Sequence, residues 1–173
     1  MKRVTLITGG AGSGKSRYAC DRAAACGSNV LFIATCVPSD DEMHAKVARH
    51  RAERPPSWRT VETTHRIHQA LAPGYDSAVV DCLTLLISQL MLGGATESDI
   101  LAEIAHLCEA PSYPLFIVSN EVGSGIVPEN ALARRFREIA GRANRVAAER
   151  ADHVILMVSG IPVSIKGERE WAR

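Results

Sequence analysis

The 173-residue chain has no apolar stretch approaching the length of a membrane span. It has no C-x-x-C pair. Its five cysteines, Cys20, Cys26, Cys36, Cys82 and Cys108, are odd in number and scattered, which argues against a disulfide frame or a zinc site and for a reducing compartment. Charge of one sign is not in excess either. Twenty Lys plus Arg against nineteen Asp plus Glu leave a formal net charge of +1, which gives no reason to expect nucleic acid or a membrane surface as the main partner. The apolar run behind Met1-Lys2-Arg3 is too short for a secretion signal, so a cytoplasmic location is expected. Internal repeats, low-complexity segments and linkers are missing as well. The length therefore predicts a single domain over 1–173, with the polar end Gly167–Arg173 as a frayed tail. The composition, 46% hydrophobic and 23% charged, is that of an ordinary soluble globular protein.

What is present is concentrated near the start. Gly9-Gly10-Ala11-Gly12-Ser13-Gly14-Lys15-Ser16 fits G-x-x-x-x-G-K-[ST]. It follows the apolar run Val4–Thr8 and precedes a helix-compatible segment from Lys15 to Ala25. Strand, glycine loop and helix in that order form the context of a phosphate-binding P-loop. The glycines let successive backbone N–H groups turn inward around a polyphosphate, and the helix N-terminus adds its positive dipole end. Lys15 is placed to reach the β- and γ-phosphates and Ser16 to hold Mg²⁺. A nucleoside triphosphate is the expected ligand.

Four further β-branched runs follow: Val30–Ala34, Ala78–Asp81, Leu115–Ser119 and Val154–Ser159. Each is nearly continuous in apolar residues instead of alternating, as strands covered on both faces are. Helical segments are predicted at Asp41–Ala52, His65–Leu71, Leu83–Leu92, Glu97–Cys108 and Glu129–Arg150. The last carries Leu132, Phe136, Ile139, Ala143 and Val146 as a 3.6-period stripe. The alternation predicts an α/β fold with a mostly parallel sheet, helices on both faces and right-handed crossovers. Ligands of such sheets sit at the carboxyl ends of the strands. Those ends are the P-loop, Thr35-Cys36-Val37, Asp81, Asn120-Glu121-Val122-Gly123 and Ser159-Gly160, all small or polar.

Two features beyond the P-loop carry chemistry. Ala78-Val79-Val80-Asp81 is an apolar run ending in a carboxylate, so Asp81 either ligates the metal or orients its water; the alternative is an N-cap for Leu83–Leu92. The segment from Asp40 to Glu62 holds His50 among Arg49, Arg51, Arg54 and Arg59. Clustered guanidiniums suit bidentate contact with phosphates, and nearby cations favour the neutral, nucleophilic imidazole. A solvated basic helix face explains the same residues. His65 and His68 read as surface or packing histidines.

At this point the chain resembles a known family. The P-loop, Ile33-Ala34-Thr35, the run Asp41-Glu42-Met43…His50…Arg54-Pro55…Trp58-Arg59-Thr60…Glu62, Asn120 through Glu129, Arg134…Phe136-Arg137…Ile139-Ala140-Gly141…Asn144 and Val158-Ser159-Gly160-Ile161…Lys166 are together similar to the bifunctional adenosylcobinamide kinase / adenosylcobinamide-phosphate guanylyltransferases of cobalamin assembly. The resemblance runs from Leu6 to Lys166. It implies a RecA-like P-loop NTPase fold, a homo-oligomer that is a trimer in the family, and adenosylcobinamide and its phosphate as substrates. It also implies GTP used twice with Mg²⁺, ATP being an alternative in the kinase step. His50 matches the histidine that carries GMP. The nucleotide contacts map onto Gly9 through Ser16, Thr35, Cys36, Val37, Arg51, Ala52, Glu53, Arg54, Glu62 and Asp81. Some relatives have two adjacent histidines where Arg49 precedes His50 here, and some have Glu where Asp81 stands. The alternatives are a P-loop kinase for another metabolite, which leaves the His50 segment idle, and a GTP-binding regulatory module, which lacks its N-K-x-D and D-x-x-G segments here.

Overall fold

Residues 4–36, 45, 51, 54–109 and 112–167 are described by the computed structural model. The apolar runs form strands because both of their faces are covered. Leu6, Leu31, Ile33, Val80 and Ile117 point into one core, whereas Ile7, Phe32, Val79, Phe116 and Val118 point into the other. Alternation of side chains across a strand requires this when every residue is apolar, and it makes a one-residue register slip merely exchange two buried sets. Full burial of each such side chain contributes roughly 1.5–3 kcal/mol.

In chain order the elements are β1 (Val4–Gly9), α1 (Lys15–Ala24), β2 (Val30–Ala34), β3 (Arg59–Glu62), α2 (Ile67–Ala70), β4 (Ser77–Asp81), α3 (Leu83–Leu92), α4 (Glu97–Glu109), β5 (Leu115–Val118), α5 (Ala131–Arg150), β6 (His153–Val158) and β7 (Ile161–Lys166). The strands form a seven-stranded sheet in the order β3-β2-β4-β5-β1-β6-β7. All neighbours run parallel except β6 and β7. Helix α1 packs through Ala19 and Ala23 on one face. Helices α2 to α5 cover the other through Ile67, Leu86, Ile104 and Ala143, among others. The inner strand β1, between β5 and β6, thus has its following helix on one face and the returning helices on the opposite one, which leaves a crevice at its carboxyl end.

The α/β expectation holds, with two strands added. β3 and β7 are sheet edges with exposed or half-buried side chains, so neither shows the continuous apolar run that marks an inner strand. The predicted helix His65–Leu71 is a single turn, α2. The predicted Glu129–Arg150 begins at Ala131, where Asn130 Oδ1 accepts from the Ala133 amide at 3.1 Å as an N-cap. Of the predicted helix Asp41–Ala52 only Ala45 and Arg51 are described, both helical; its other residues, and 168–173 of the tail, lie outside the described residues.

Candidate active site

The glycine loop is shaped by two conformational demands. Gly9 has φ 144°, and a Cβ there would stand 2.5 Å from the Met157 carbonyl oxygen, so only glycine lets β6 approach the end of β1. Gly14 has φ 92° and stands as N-cap of α1 without a side-chain cap, which leaves the first amides of that helix facing the loop. Lys15 is 6% exposed. Its Nζ donates to the Gly10 carbonyl at 2.5 Å and to Ser13 Oγ at 3.4 Å. Burial pulls this ammonium below its ordinary pKa, while the acidic neighbours Cys82 and Asp81 pull it back up. The loop is braced from the far side, where the Gly160 amide donates to the Ser13 carbonyl at 3.1 Å. Ser159 (φ 50°) and Gly160 (φ 85°) form the two-residue turn between β6 and β7, a conformation Ser-Gly supports.

Sheet register sets the rest of the site beside this cradle. Ala34 pairs with Glu62 on β3 and with Asp81 on β4; Asp81 pairs with Val118, and Val118 with Ile7. The strand tips therefore end on one line, and Thr35, Cys36 and Asn120 lie just beyond it. Asp81 is not a helix cap. Cys82 occupies the N-cap position of α3 and makes no side-chain cap bond there, so the N-cap alternative for Asp81 fails. Asp81 is close enough to Lys15 and Arg54 to oppose part of the lowering that burial imposes on the pKa of each. Arg54 lies 3.4 Å above the Phe32 ring centroid and donates to Thr60 Oγ1 at 3.3 Å. Burial lowers its pKa, with Cys20 and Asp81 opposing. A half-buried guanidinium stacked on an aromatic face is oriented before any ligand arrives. Arg51 and Glu62 form an exposed ion pair at 3.8 Å. Of the residues the sequence nominates, Gly9 through Ser16, Thr35, Cys36, Arg51, Arg54, Glu62 and Asp81 gather at this edge. Val37, His50, Ala52 and Glu53 lie outside the described residues. His68 is indeed a packing histidine, with Nδ1 2.9 Å from the Glu103 carboxylate and its ring against His106.

A hydrogen-bond network under the strand tips was not readable from the sequence. Thr35 Oγ1 donates to the Cys82 carbonyl at 2.7 Å and accepts from the Cys82 amide at 2.8 Å. Thr84 Oγ1 accepts from the amide of Asn120 at 3.2 Å and from its Nδ2 at 3.0 Å. Asn144, on α5, accepts from Ser119 Oγ at 2.5 Å and donates to the Asn120 carbonyl at 3.2 Å. The Glu121 amide then donates to the Gly9 carbonyl at 3.0 Å. Four elements are thereby tied to the P-loop. The sole sequence signal is Asn144 itself, an amide in mid-helix next to an apolar stripe. Half of the site is thus held by contacts between residues far apart in the chain.

A glycine cradle at the tip of an inner parallel strand, with helices on opposite faces of the sheet, defines a P-loop nucleotide-binding α/β protein. The fold is similar to a KaiC-like protein of Pyrococcus horikoshii OT3, with TM-score 0.58 and 13% identity over 99% of this chain and 83% of that one. It is also similar to the ATPase EscN of the enteropathogenic E. coli type III secretion system, with TM-score 0.57 and 12% identity over 94% of this chain and 48% of that one. The sequence pattern of cobinamide kinase / cobinamide phosphate guanyltransferase matches residues 5–165. The chain is 43% identical to the bifunctional adenosylcobalamin biosynthesis protein CobU of Escherichia coli (strain K12), over 94% of this chain and 99% of that protein. It is 40% identical to the bifunctional adenosylcobalamin biosynthesis protein CobP of Pseudomonas aeruginosa PAO1, over 94% and 97% respectively. The chain belongs to the cobinamide kinase / cobinamide phosphate guanyltransferase family.

Proposed function

We infer that the chain phosphorylates the aminopropanol hydroxyl of adenosylcobinamide and then transfers GMP from GTP onto the new phosphate, giving adenosyl-GDP-cobinamide and pyrophosphate. The observation that carries this reading is the line of strand tips, which places Glu62, Asp81 and the stacked Arg54 at the edge that bears the P-loop. In the first step the P-loop amides and Lys15 hold the β- and γ-phosphates while the substrate hydroxyl attacks the γ-phosphorus in line. No side chain is assigned as a general base, since a loose phosphoryl transfer needs positioning more than deprotonation. In the second step His50 attacks the α-phosphorus of GTP, the α–β bridging bond breaks and pyrophosphate leaves. An oxygen of cobinamide phosphate then attacks the same phosphorus, breaks the P–N bond and returns the imidazole. The covalent route spares two polyanions a direct approach.

The Ser16 hydroxyl and the Asp81 carboxylate are hard oxygen donors of the kind Mg²⁺ takes beside nucleotide phosphates, and we assign them as its protein ligands. Bound there, the ion would offset charge on the phosphate oxygens. GTP is the substrate of both steps, with ATP as an alternative in the first. The protein is a single-domain, cytoplasmic enzyme on this reading, in keeping with five cysteines of which none forms a disulfide. Among the described residues no helix is long and apolar enough to cross a membrane. A homo-oligomer, a trimer by family resemblance, is supported by the edge strand β7, where Ile161, Val163 and Ile165 are exposed. Light scattering on the intact protein reads the assembly, and a monomer at working concentration refutes it.

Product analysis with two labels tests the reaction sequence. Cobinamide should acquire label from γ-labelled GTP first and from α-labelled GTP second. Label from the γ position alone identifies a plain kinase and overturns the second half of the reading.

A further inference from the structure

A groove of about 350 Å³ lies between the 120–128 loop and α5, and none of its lining residues belongs to the P-loop. We propose that it seats the amide-fringed macrocycle of the corrinoid substrate, an inference that rests on the cobinamide reading above. Its walls include Gly123 and Val127 from the loop, and Arg134, Arg137, Gly141 and Arg145 from the helix. These helical positions recur every three or four residues, on the side opposite the buried Ile139, Ala143 and Ala147.

The groove is fastened, not merely left over. Arg134 Nη1 donates to the Pro128 carbonyl at 3.0 Å and to the Glu129 carbonyl, and Arg137 donates to the Gly123 carbonyl. A guanidinium carries five N–H donors, more than these bonds use. Apolar surface stands beside them, since Ile126 is 96% and Val127 64% exposed. A corrinoid has apolar ring faces with carboxamide carbonyls around its rim, and this mixture of guanidinium donors and aliphatic surface matches both.

Gly141 is the sharper clue. It sits inside a twenty-residue helix, where glycine is unfavourable, yet a Cβ added there would meet nothing within 4 Å. No packing contact among the described residues requires it. A ligand lying across the helix does, because a side chain at this position would rise from the floor of the groove.

The groove also connects to the reacting end. Two residues before Gly123, the Glu121 amide is bonded to the carbonyl of Gly9 at the mouth of the P-loop. Thr8 shares the α5-facing side of β1 with Leu6, and its buried Oγ1 has no hydrogen-bond partner among the described residues. An arm reaching from the macrocycle to the cradle would pass from this groove along that loop.

Gly141→Leu fills the floor with a better helix former, so the fold is kept. The expected result is a KM for cobinamide raised at least about tenfold, with the KM for GTP held within about twofold, and a matching loss of cobinamide binding in equilibrium dialysis. Gly141→Ala should raise the melting temperature by about 2–4 °C while weakening cobinamide less. If wild-type protein phosphorylates cobinamide and Gly141→Leu does so with the same KM, the groove is not the seat. A changed oligomeric state in Gly141→Leu with unaltered cobinamide KM makes the groove a contact between copies and likewise overturns the assignment. Wild-type protein that neither binds nor phosphorylates cobinamide overturns this inference together with the functional reading.

Discussion

His50→Ala should abolish transfer of GMP, by at least about 10³-fold, while leaving phosphorylation of cobinamide largely intact. The two steps ask different things of the same nucleotide. On the proposed reading, attack at the γ-phosphorus is made by the substrate's own hydroxyl and draws on the cradle and Lys15. Attack at the α-phosphorus with loss of pyrophosphate needs a nucleophile that the protein must supply. Of the residues the sequence brings forward, only a histidine flanked by arginines offers such a nucleophile, since clustered guanidiniums suit a triphosphate and an imidazole nitrogen can attack phosphorus. Removing it takes away one bond-forming atom and none of the phosphate clamp. The measurement is a pair of rates, γ-label and α-label transfer to cobinamide, on the same preparation. Loss of both in a folded variant would show that His50 serves the cradle and not the second step alone.

Lys15→Ala should impair both steps, each on the order of 10²–10³-fold, the scale of removing one preorganised donor from a charged transition state. The reason lies in the geometry. Lys15 Nζ rests on the loop's own carbonyl and hydroxyl, so the ammonium is already held inside the glycine loop, in a partly desolvated position. The same burial makes it a liability to the fold. With its pKa lowered, the native state holds this proton less firmly than the unfolded chain does, and stability on this account rises with pH between the lowered and the ordinary lysine values. Lys15→Ala should therefore lose activity without losing thermal stability at neutral pH, and its alkaline stability profile should lack that rise. Thermal melts from neutral to alkaline pH check the second point; a steep fall in melting temperature at neutral pH would mean that the ammonium is a structural group.

Most of the sheet was legible because five of its strands are buried on both faces and so appear as continuous apolar runs. β3 and β7 were not. Arg59-Thr60-Val61-Glu62 is polar at both ends and lies at an edge, paired on one side with β2. Ile161–Lys166 contains Pro162 and has exposed side chains along its whole length, so burial left no periodic mark on it. Its one signal was Ser159-Gly160, a pair suited to a two-residue hairpin turn, which also proves to brace Ser13. In the site, the local elements were readable: a P-loop is contiguous, and a carboxylate at the end of an apolar strand announces itself. The ties that set their relative positions were not. Thr84 meets Asn120 thirty-six residues away, and Ser119 meets Asn144 twenty-five away, contacts that exist only once the sheet order is known. The guanidinium of Arg54 was nominated for phosphate contact, whereas its stacking on Phe32 required knowledge that β2 presents that ring beside it.

On the proposed reading one nucleotide cradle serves attack at two phosphorus atoms, the second through a histidine. Its most direct test is mass analysis of peptides from the protein incubated with GTP and Mg²⁺ and without cobinamide phosphate. A single GMP adduct is expected on the peptide containing His50, labile in acid and stable in alkali, that disappears when cobinamide phosphate is added, forms about 10²–10³-fold more slowly in Lys15→Ala and is absent from His50→Ala. An adduct on a different residue, or full GMP transfer with no protein-bound intermediate, would contradict it.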